Sequence, residues 1–176
     1  MLKQDMIERL LRLDEEADLM FEGEEHFRIV IVGGGALVLM ECLSRATHDI
    51  DALAASEKIK GLLEKYDINC DVQTYVNNFP YNYEDRLIKL DIASRKIDFF
   101  TASLEDIVIA KLFSYRDTDK ADVESETVLE RIDWAKLQEL AENDEEVKRN
   151  ALNDRSYHDF KYNYDNYVRR CRPCAN

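Results

Sequence analysis

Glycine and proline are scarce in this chain of 176 residues, which has five of the first and two of the second. Their scarcity predicts regular secondary structure with few long flexible linkers. Basic residues are also few: 24 lysines and arginines stand against 37 aspartates and glutamates, so the formal net charge is −13. Proteins that bind nucleic acid over their whole surface do so by neutralising phosphates. Binding of nucleic acid over the whole surface is excluded here, so any nucleic-acid contact needs a local basic patch. The candidate patches are Arg169, Arg170 and Arg172, or Lys89, Arg95 and Lys96. Residues of this kind more often form a solvated fringe.

Long apolar runs are absent as well. No stretch approaches the ~20 residues that a membrane-spanning helix requires, and charged residues interrupt the first 21 positions, where a secretory signal is apolar. The four cysteines do not form a secreted disulfide framework. Cys171 and Cys174 have the spacing of half a zinc or redox site, but no second pair is nearby. These features predict a cytoplasmic protein with no membrane partner.

The hydrophobic residues, 45% of the chain, are sufficient for a buried core in one domain. Their periodicity predicts an α/β (α+β) fold, in which a small mixed sheet with flanking helices is followed by a helical C-terminal half. The α/β core covers residues 1–102 and the helical region 103–176, packed together as one compact unit. The predicted elements are helix 6–20, strand 27–32, helix 36–43, strand 48–53, helix 57–66, strand 71–76, loop 77–85, hairpin 87–92 with 96–100, and helices 103–115, 118–130, 133–142 and 145–170.

Three consecutive glycines, Gly33, Gly34 and Gly35, join the first strand to a helix. Glycines let the backbone pass close to a ligand, and free amides at the start of a helix attract phosphate. The segment is not a P-loop, since no Gly-Lys-Ser/Thr follows, and it does not match Gly-x-Gly-x-x-Gly. A tight strand-to-helix turn explains the glycines equally well.

Asp49 and Asp51 lie in the second predicted strand, on either side of Ile50. Residues two apart on a strand point to the same face, so the two carboxylates are expected to project together. Two adjacent like charges are unfavourable unless a cation lies between them. Two solvent-facing acids on an edge strand are the structural alternative, but the glycine turn one helix earlier favours a site.

A third carboxylate comes from the predicted hairpin. If its turn is centred on Ser94 and Arg95, Asp91 lies directly opposite Asp98. Like charges in that position destabilise a sheet, unless a nearby metal ion or a lysine such as Lys89 compensates them. We expect Asp98 to be the metal ligand and keep Asp91 as the alternative.

Lys111 interrupts an otherwise apolar helical run, and its neighbours three and four residues away are not anionic. A buried ammonium group needs an anion, and a bound triphosphate is one candidate. Two structural alternatives remain open: Lys111 reaches solvent, or it pairs with Asp119 or Asp122. Ser103 and Asp106 have the spacing of a helix cap at the start of this helix.

Three motifs within residues 28–125 together resemble a known family. They are Val32-Gly-Gly-Gly-Ala-Leu, then Arg45-x-Thr47-x-Asp49-Ile50-Asp51, then Asp106-x4-Lys111-x4-Arg116-x2-Asp119-x2-Asp122. Their order and spacing are similar to those of minimal nucleotidyltransferases of the DNA polymerase β-like superfamily, including AbiE-type abortive-infection toxins. Many of those enzymes have Gly-Ser where this chain has Gly34-Gly35.

The resemblance implies a nucleotidyltransferase that uses Mg²⁺ or Mn²⁺ to move a nucleoside monophosphate from a nucleoside triphosphate to a hydroxyl group. The acceptor (tRNA, protein or small molecule) stays open, and a toxin role implies an antitoxin partner. Binding of nucleotide or sensing without catalysis is the alternative function. The implied metal-binding and catalytic residues are Asp49, Asp51 and Asp98; the implied nucleotide-binding residues are Gly33, Gly34, Gly35, Arg45, Thr47, Lys111 and Arg116.

Overall fold

A computed structural model describes residues 1–53 and 56–173, apart from the side chains of Gln73 and Thr74. The chain forms two units. The sheet unit contains residues 1–73 and 87–102, and the helical unit contains residues 74–86 together with the chain from residue 103 onward. Segment 74–86 therefore belongs with the later helices although it lies within the first 102 residues of the sequence. The domain boundary after residue 102 stays a prediction.

The described residues of the sheet unit form five strands in the order β3-β2-β1-β5-β4, which confirms the predicted mixed sheet with flanking helices. The central strand β1 pairs antiparallel with β2 and parallel with β5. At the edges, β3 is parallel to β2 and β4 is antiparallel to β5. The strands are β1 (Phe27–Val32), β2 (Ile50–Leu53), β3 (Ile68–Asn69), β4 (Ile88–Lys89) and β5 (Ile97–Thr101).

Helices cover this sheet and fill the second unit. In α1, Met6, Leu10, Leu13 and Ala17 recur at helical spacing and are fully buried, as the periodicity of the sequence predicts. The helices are α1 (Lys3–Met20), α2 (Gly33–Leu39), α3 (Lys60–Lys65), α4 (Gln73–Val76), α5 (Leu104–Leu112), α6 (Asp117–Val123), α7 (Glu126–Arg131), α8 (Trp134–Glu142), α9 (Asp144–Asn150) and α10 (Asp154–Cys171), with 3₁₀ turns at Glu57–Ile59 and Tyr83–Arg86.

Several predicted element bounds are wrong. Residues 71–76 do not form a strand, because the short strand β3 comes earlier and α4 follows it. The glycines do not precede α2 as a loop but form its first turn, and Asp49 lies before β2 rather than inside it. Between residues 103 and 173 the structure has six helices where four were predicted, because short breaks divide two of the predicted helices.

A buried carboxylate fixes the start of β5 against α1. Asp14 Oδ1 accepts hydrogen bonds from the backbone amides of Lys96 (2.8 Å) and Ile97 (2.7 Å), and its Oδ2 accepts one from Arg95 (2.7 Å). The Lys96 ammonium group donates to the carbonyl of Gly23 at 2.9 Å. These bonds satisfy polar groups that burial would otherwise leave without partners.

The helical unit begins at a second buried carboxylate. Ser103 caps α5 by accepting a hydrogen bond from the Asp106 amide (3.2 Å), which confirms the predicted cap. The Asp106 carboxylate is fully buried and pairs with two guanidinium nitrogens of Arg86, at 2.8 and 3.0 Å. This bidentate pair joins segment 74–86 to α5. Along α10 an aromatic stripe faces the core of the unit, and its members are Tyr157, Phe160, Tyr164 and Tyr167.

Within the described part of the chain, no helix is long and apolar enough to cross a bilayer. Cys42, Cys70 and Cys171 form no disulfide within the described residues, and Cys174 lies outside them. The spacing of Cys171 and Cys174 therefore remains an observation on the sequence alone.

We expect Asp14→Asn to lower the free energy of unfolding by about 2–3 kcal/mol, because the three backbone donors lose a charged acceptor and an amide can satisfy fewer of them. Urea unfolding followed by circular dichroism measures this. Asp18→Asn is the matched control, since Asp18 is exposed on the same helix and its change should stay within about 0.5 kcal/mol. Equal midpoints for the two variants would contradict the role of Asp14.

Candidate active site

The first turn of α2 favours glycine at its first residue. Gly33 has a φ of +66°, in the left-handed region where side chains cause strain. A Cβ at Gly33 would also lie 3.2 Å from Asp51 Oδ2. The backbone conformation and the lack of space for a Cβ both favour glycine at this position. The Asp51 carboxylate therefore lies next to backbone that no side chain covers.

Strand register explains why Asp51 lies there. Val32, the last residue of β1, pairs with Asp51 on the antiparallel strand β2, so Asp51 is brought to the point where the chain turns into α2. On the other side Asp51 pairs with Asn69 of β3, whose side-chain amide donates to Asp51 Oδ1 at 2.9 Å. Sequence reasoning missed Asn69, because the strand that carries it was predicted three residues too late.

The loop before β2 runs beside the same glycines. A Cβ at Gly34 would lie 3.6 Å from both the Arg45 guanidinium group and the Thr47 hydroxyl, and a Cβ at Gly35 would lie 3.6 Å from the Asp49 carbonyl. Thr47 is buried, and its hydroxyl donates to the Asp49 carbonyl at 3.3 Å. The structure thus brings together these predicted residues of the sheet unit: Gly33, Gly34, Gly35, Arg45, Thr47, Asp49 and Asp51.

Asp98 does not join this group, so the expected convergence of three carboxylates is wrong. On β1, Asp98 pairs with Arg28, whereas Asp51 pairs with Val32 four residues further on. At ~3.3 Å per residue the two positions are separated by about 13 Å along the strand, and they lie on opposite sides of β1. The physical reason is that β5 starts level with β1, so its second residue lies near the far end of the sheet.

The hairpin itself has the predicted register, with Ile88 opposite Thr101 and Lys89 opposite Phe100. The Asp98 carboxylate is compensated by Lys89, whose ammonium group lies 2.6 Å away. This is the lysine alternative considered from the sequence. Asp91 is exposed in the loop that leads to the start of β5, at the same far end of the sheet as Asp98.

Lys111, in the helical unit, is buried against two carboxylates. Its Nζ donates to Asp119 Oδ1 at 2.6 Å and to Asp122 Oδ2 at 2.9 Å, and all three residues are at most 5% exposed. Arg116 adds a bond from Nε to Asp119 Oδ2 at 2.6 Å and also contacts the hydroxyl and ring of Tyr75. The anions that pair with Lys111 therefore come from α6 and not from its own helix, α5.

The whole chain, with both groups of residues, can be compared with known proteins. Residues 8–172 match a family described as nucleotidyltransferase of unknown function (DUF6036). The chain belongs to this family of nucleotidyltransferases. No curated protein and no solved structure matches it. The family confirms the resemblance at the level of nucleotidyltransferases, while likeness to the AbiE-type toxins stays a hypothesis.

The acidic residues of this nucleotidyltransferase fit a metal ion that arrives with its substrate. Among the described residues, no three His, Cys, Asp or Glu side chains form a cluster that could hold a metal. Asp51 offers its carboxylate beside Gly33, and Asp49 lies next to Gly35 through its backbone carbonyl. Carboxylate oxygens are ligands that Mg²⁺ prefers. Mg²⁺ commonly binds through one or two carboxylates together with substrate phosphates. The donor set therefore suits a metal–nucleotide complex better than a metal ion alone.

Charge pairing around Lys111 changes the pKa values of Asp119 and Arg116. Burial by itself would raise the pKa of Asp119, but the charges and hydrogen bonds of Lys111 and Arg116 outweigh it, so this pKa lies below the usual value. The hydrogen bond to Asp119 raises the pKa of Arg116. A carboxyl group with a lowered pKa stabilises the fold above its unfolded pKa, near 3.9, and this contribution is lost as the pH falls through the folded pKa.

We expect Gly33→Ala to destabilise the fold by about 1–2 kcal/mol, because alanine is strained at positive φ and its Cβ would crowd Asp51. Gly34→Ala is the matched control: a Cβ there meets only ordinary contacts, at 3.6 Å, and no positive φ is imposed. Thermal melts of both variants measure the difference. Equal melting temperatures would show that the turn relaxes at no cost.

Lys111→Met should lower stability by about 3–5 kcal/mol at pH 7, because Asp119 and Asp122 lose their buried cation. The deficit relative to the wild type should shrink towards pH 5, since burial raises the pKa of Asp119 once the Lys111 charge that lowers it is gone. Thermal melts at both pH values test this, with the exposed Lys148→Met as control. A variant that melts like the wild type but binds nucleotide less tightly would show instead that Lys111 serves a ligand.

Proposed function

We propose that this protein transfers a nucleoside monophosphate from a nucleoside triphosphate to an acceptor hydroxyl, in a reaction that depends on Mg²⁺ or Mn²⁺ at Asp49 and Asp51. One observation carries the proposal: the Asp51 carboxylate faces the bare backbone of Gly33 in a chain that belongs to a nucleotidyltransferase family. A carboxylate next to uncovered backbone leaves room for a phosphate chain and offers an oxygen ligand to its counterion.

The residues around Asp51 have separate tasks in this proposal. Asn69 donates to Asp51 Oδ1 and so holds Oδ2 towards Gly33. Thr47 fixes the loop that carries Asp49, and Arg45 supplies positive charge beside Gly34. A bound divalent ion would offset triphosphate charge and lower the pKa of the acceptor hydroxyl.

The transfer forms a bond between the acceptor oxygen and the α-phosphorus. The bond between the α-phosphorus and the oxygen that bridges to the β-phosphate breaks, pyrophosphate leaves, and the acceptor hydroxyl loses its proton. Negative charge grows on the phosphate oxygens and on the leaving group, so cations nearby accelerate the reaction.

Lys111 and Arg116 are not equally suited to contact a nucleotide. The Lys111 charge is matched by Asp119 and Asp122, which supports a role in holding α6 in place. Arg116 has a side chain 61% exposed, and we keep it as the cation of the helical unit that can contact a phosphate. We include a toxin role and an antitoxin partner in the proposal only because the motifs resemble those of the AbiE-type toxins. The acceptor is a tRNA, a protein or a small molecule.

Transfer of label from each α-³²P nucleoside triphosphate into a cell extract, with Mg²⁺ or Mn²⁺, tests the activity. Asp51→Asn should reduce labelling by about 100-fold or more, since loss of a metal ligand removes several kcal/mol of transition-state stabilisation. Asp98→Asn should reduce it less, because Asp98 lies at the other end of the sheet. Asp18→Asn, a distant exposed aspartate, is the control. Full labelling by a folded Asp51→Asn variant would refute the assignment.

Nucleotide binding without transfer is the second candidate. Gly35 favours it, because many related enzymes have a serine hydroxyl at this position. In that case Mg²⁺ with nucleoside triphosphate raises the melting temperature of the wild type, as a ligand that binds only the folded state does, yet no acceptor is labelled. The double variant Asp49→Asn with Asp51→Asn should lose the shift, and a retained shift would place the nucleotide elsewhere.

A further inference from the structure

The helical unit contains a pocket of about 500 Å³ between α6 and α10, a size typical of small-molecule sites. One wall is formed by the turn after α5 and by α6, and the other by α10. None of the residues around Asp51 belongs to it. Lys111 and Arg116 line the pocket and are also candidate nucleotide-binding residues, but its other side chains are not explained by the proposed active site.

Two exposed tyrosines line the pocket. Tyr115 is 73% exposed and Tyr162 is 70% exposed, whereas Tyr157, Tyr164 and Tyr167 on the same helix as Tyr162 are buried. Exposed aromatic rings beside a cavity are surfaces on which a planar ring can stack.

Cationic side chains lie beside these rings. Lys120 on α6 is exposed and has no ion-pair partner in the described part of the chain, and Arg170 on α10 pairs with Glu124 at the rim. Asn166, one turn before Arg170 on α10, adds an amide that can both donate and accept hydrogen bonds.

The pocket is held in shape by bonds at its base. Asn163 donates to the carbonyl of Leu112 at 2.8 Å, and the buried Tyr167 hydroxyl donates to the carbonyl of Val123 at 2.9 Å. These bonds tie α10 to the ends of α5 and α6. The rings and cations therefore project from a fixed frame, which lowers the entropy cost of binding.

We propose that this pocket binds a nucleotide unit, with the base against the rings of Tyr115 and Tyr162 and the phosphate beside Lys120 and Arg170. Stacking and a nearby cation are the two contacts that unpaired nucleotides use on proteins without base-specific hydrogen bonds. The nucleotide unit is either a free nucleotide or part of a single strand. The residues that support this site all belong to the helical unit. Only the further step, in which a bound strand is the acceptor of the transfer, rests on the proposed transferase function.

Fluorescence anisotropy with fluorescein-labelled hexaadenylate tests the site, in EDTA so that no metal ion supports binding at Asp49 and Asp51. Tyr162→Ala should weaken binding roughly 5- to 100-fold through loss of stacking. Arg170→Glu should weaken it and flatten its dependence on salt. Arg169→Glu makes the same charge change one residue away, outside the pocket, and should bind like the wild type, as should Tyr81→Ala, another exposed tyrosine outside the pocket.

Competition separates the two sources of the ligand. Displacement of hexaadenylate by AMP would identify a free nucleotide as sufficient, and failure of AMP to compete would identify a strand; either outcome supports the site. No binding of hexaadenylate or AMP, or equal binding by the Arg170→Glu and Arg169→Glu variants, would overturn it. Asp51→Asn should bind hexaadenylate normally, so a failure of the transferase proposal would leave this result unchanged.

Discussion

The register of β1 against its two neighbours is the constraint on which the sheet unit depends. Backbone hydrogen bonds place Asp51 opposite Val32 and Asp98 opposite Arg28, and no side-chain movement can exchange these positions. A shift of one residue would turn every side chain of a strand to the other face, so burial of the strands holds the register firmly. The pairing of β1 with β2 therefore brings Asp51 to Gly33, and the pairing of β1 with β5 keeps Asp98 away from it.

The helical unit depends on buried charges that compensate each other. Lys111 holds Asp119 and Asp122, and Arg86 holds Asp106, so α5 is tied to α6 and to segment 74–86. Removal of one partner from such a pair costs more than the pair itself contributes, because the remaining charge is left without water. The same logic applies to Asp14 in the sheet unit, where the partners are backbone amides. These contacts make an acidic chain compatible with compact cores.

The two units contribute different chemistry. Carboxylate oxygens and bare backbone meet in the sheet unit, which suits phosphate and its counterion. Exposed tyrosine rings and cations meet in the helical unit, which suits a base and its phosphate. Loops and helix ends carry these groups on scaffolds that ladders and buried pairs hold rigid, a common arrangement for functional sites. A strongly acidic surface elsewhere would repel nucleic acid and so confine its binding to such local patches.

Much of this arrangement could be predicted from local pattern. The apolar stripe of α1, strand β1, the helix cap at Ser103 and the hairpin register follow from periodicity and short-range spacing. The order of the three glycines and Asp49-Ile50-Asp51 also predicted that these residues lie close together, as Gly33 and Asp51 do. These features are readable because residues close in sequence produce them. The family match covers residues 8–172 and so includes these motifs.

Long-range contacts were decided only by the tertiary structure. The position of β5 beside β1 removed Asp98 from the carboxylate group, and Asn69 entered the site through a two-residue strand too short to have a sequence pattern. For Lys111, the sequence indicated a bound triphosphate and kept a carboxylate partner as an alternative, and folding of α6 against α5 supplied Asp119 and Asp122. The physical reason is common to all three: local sequence specifies which face of an element is polar, whereas strand order and helix packing determine which polar groups meet.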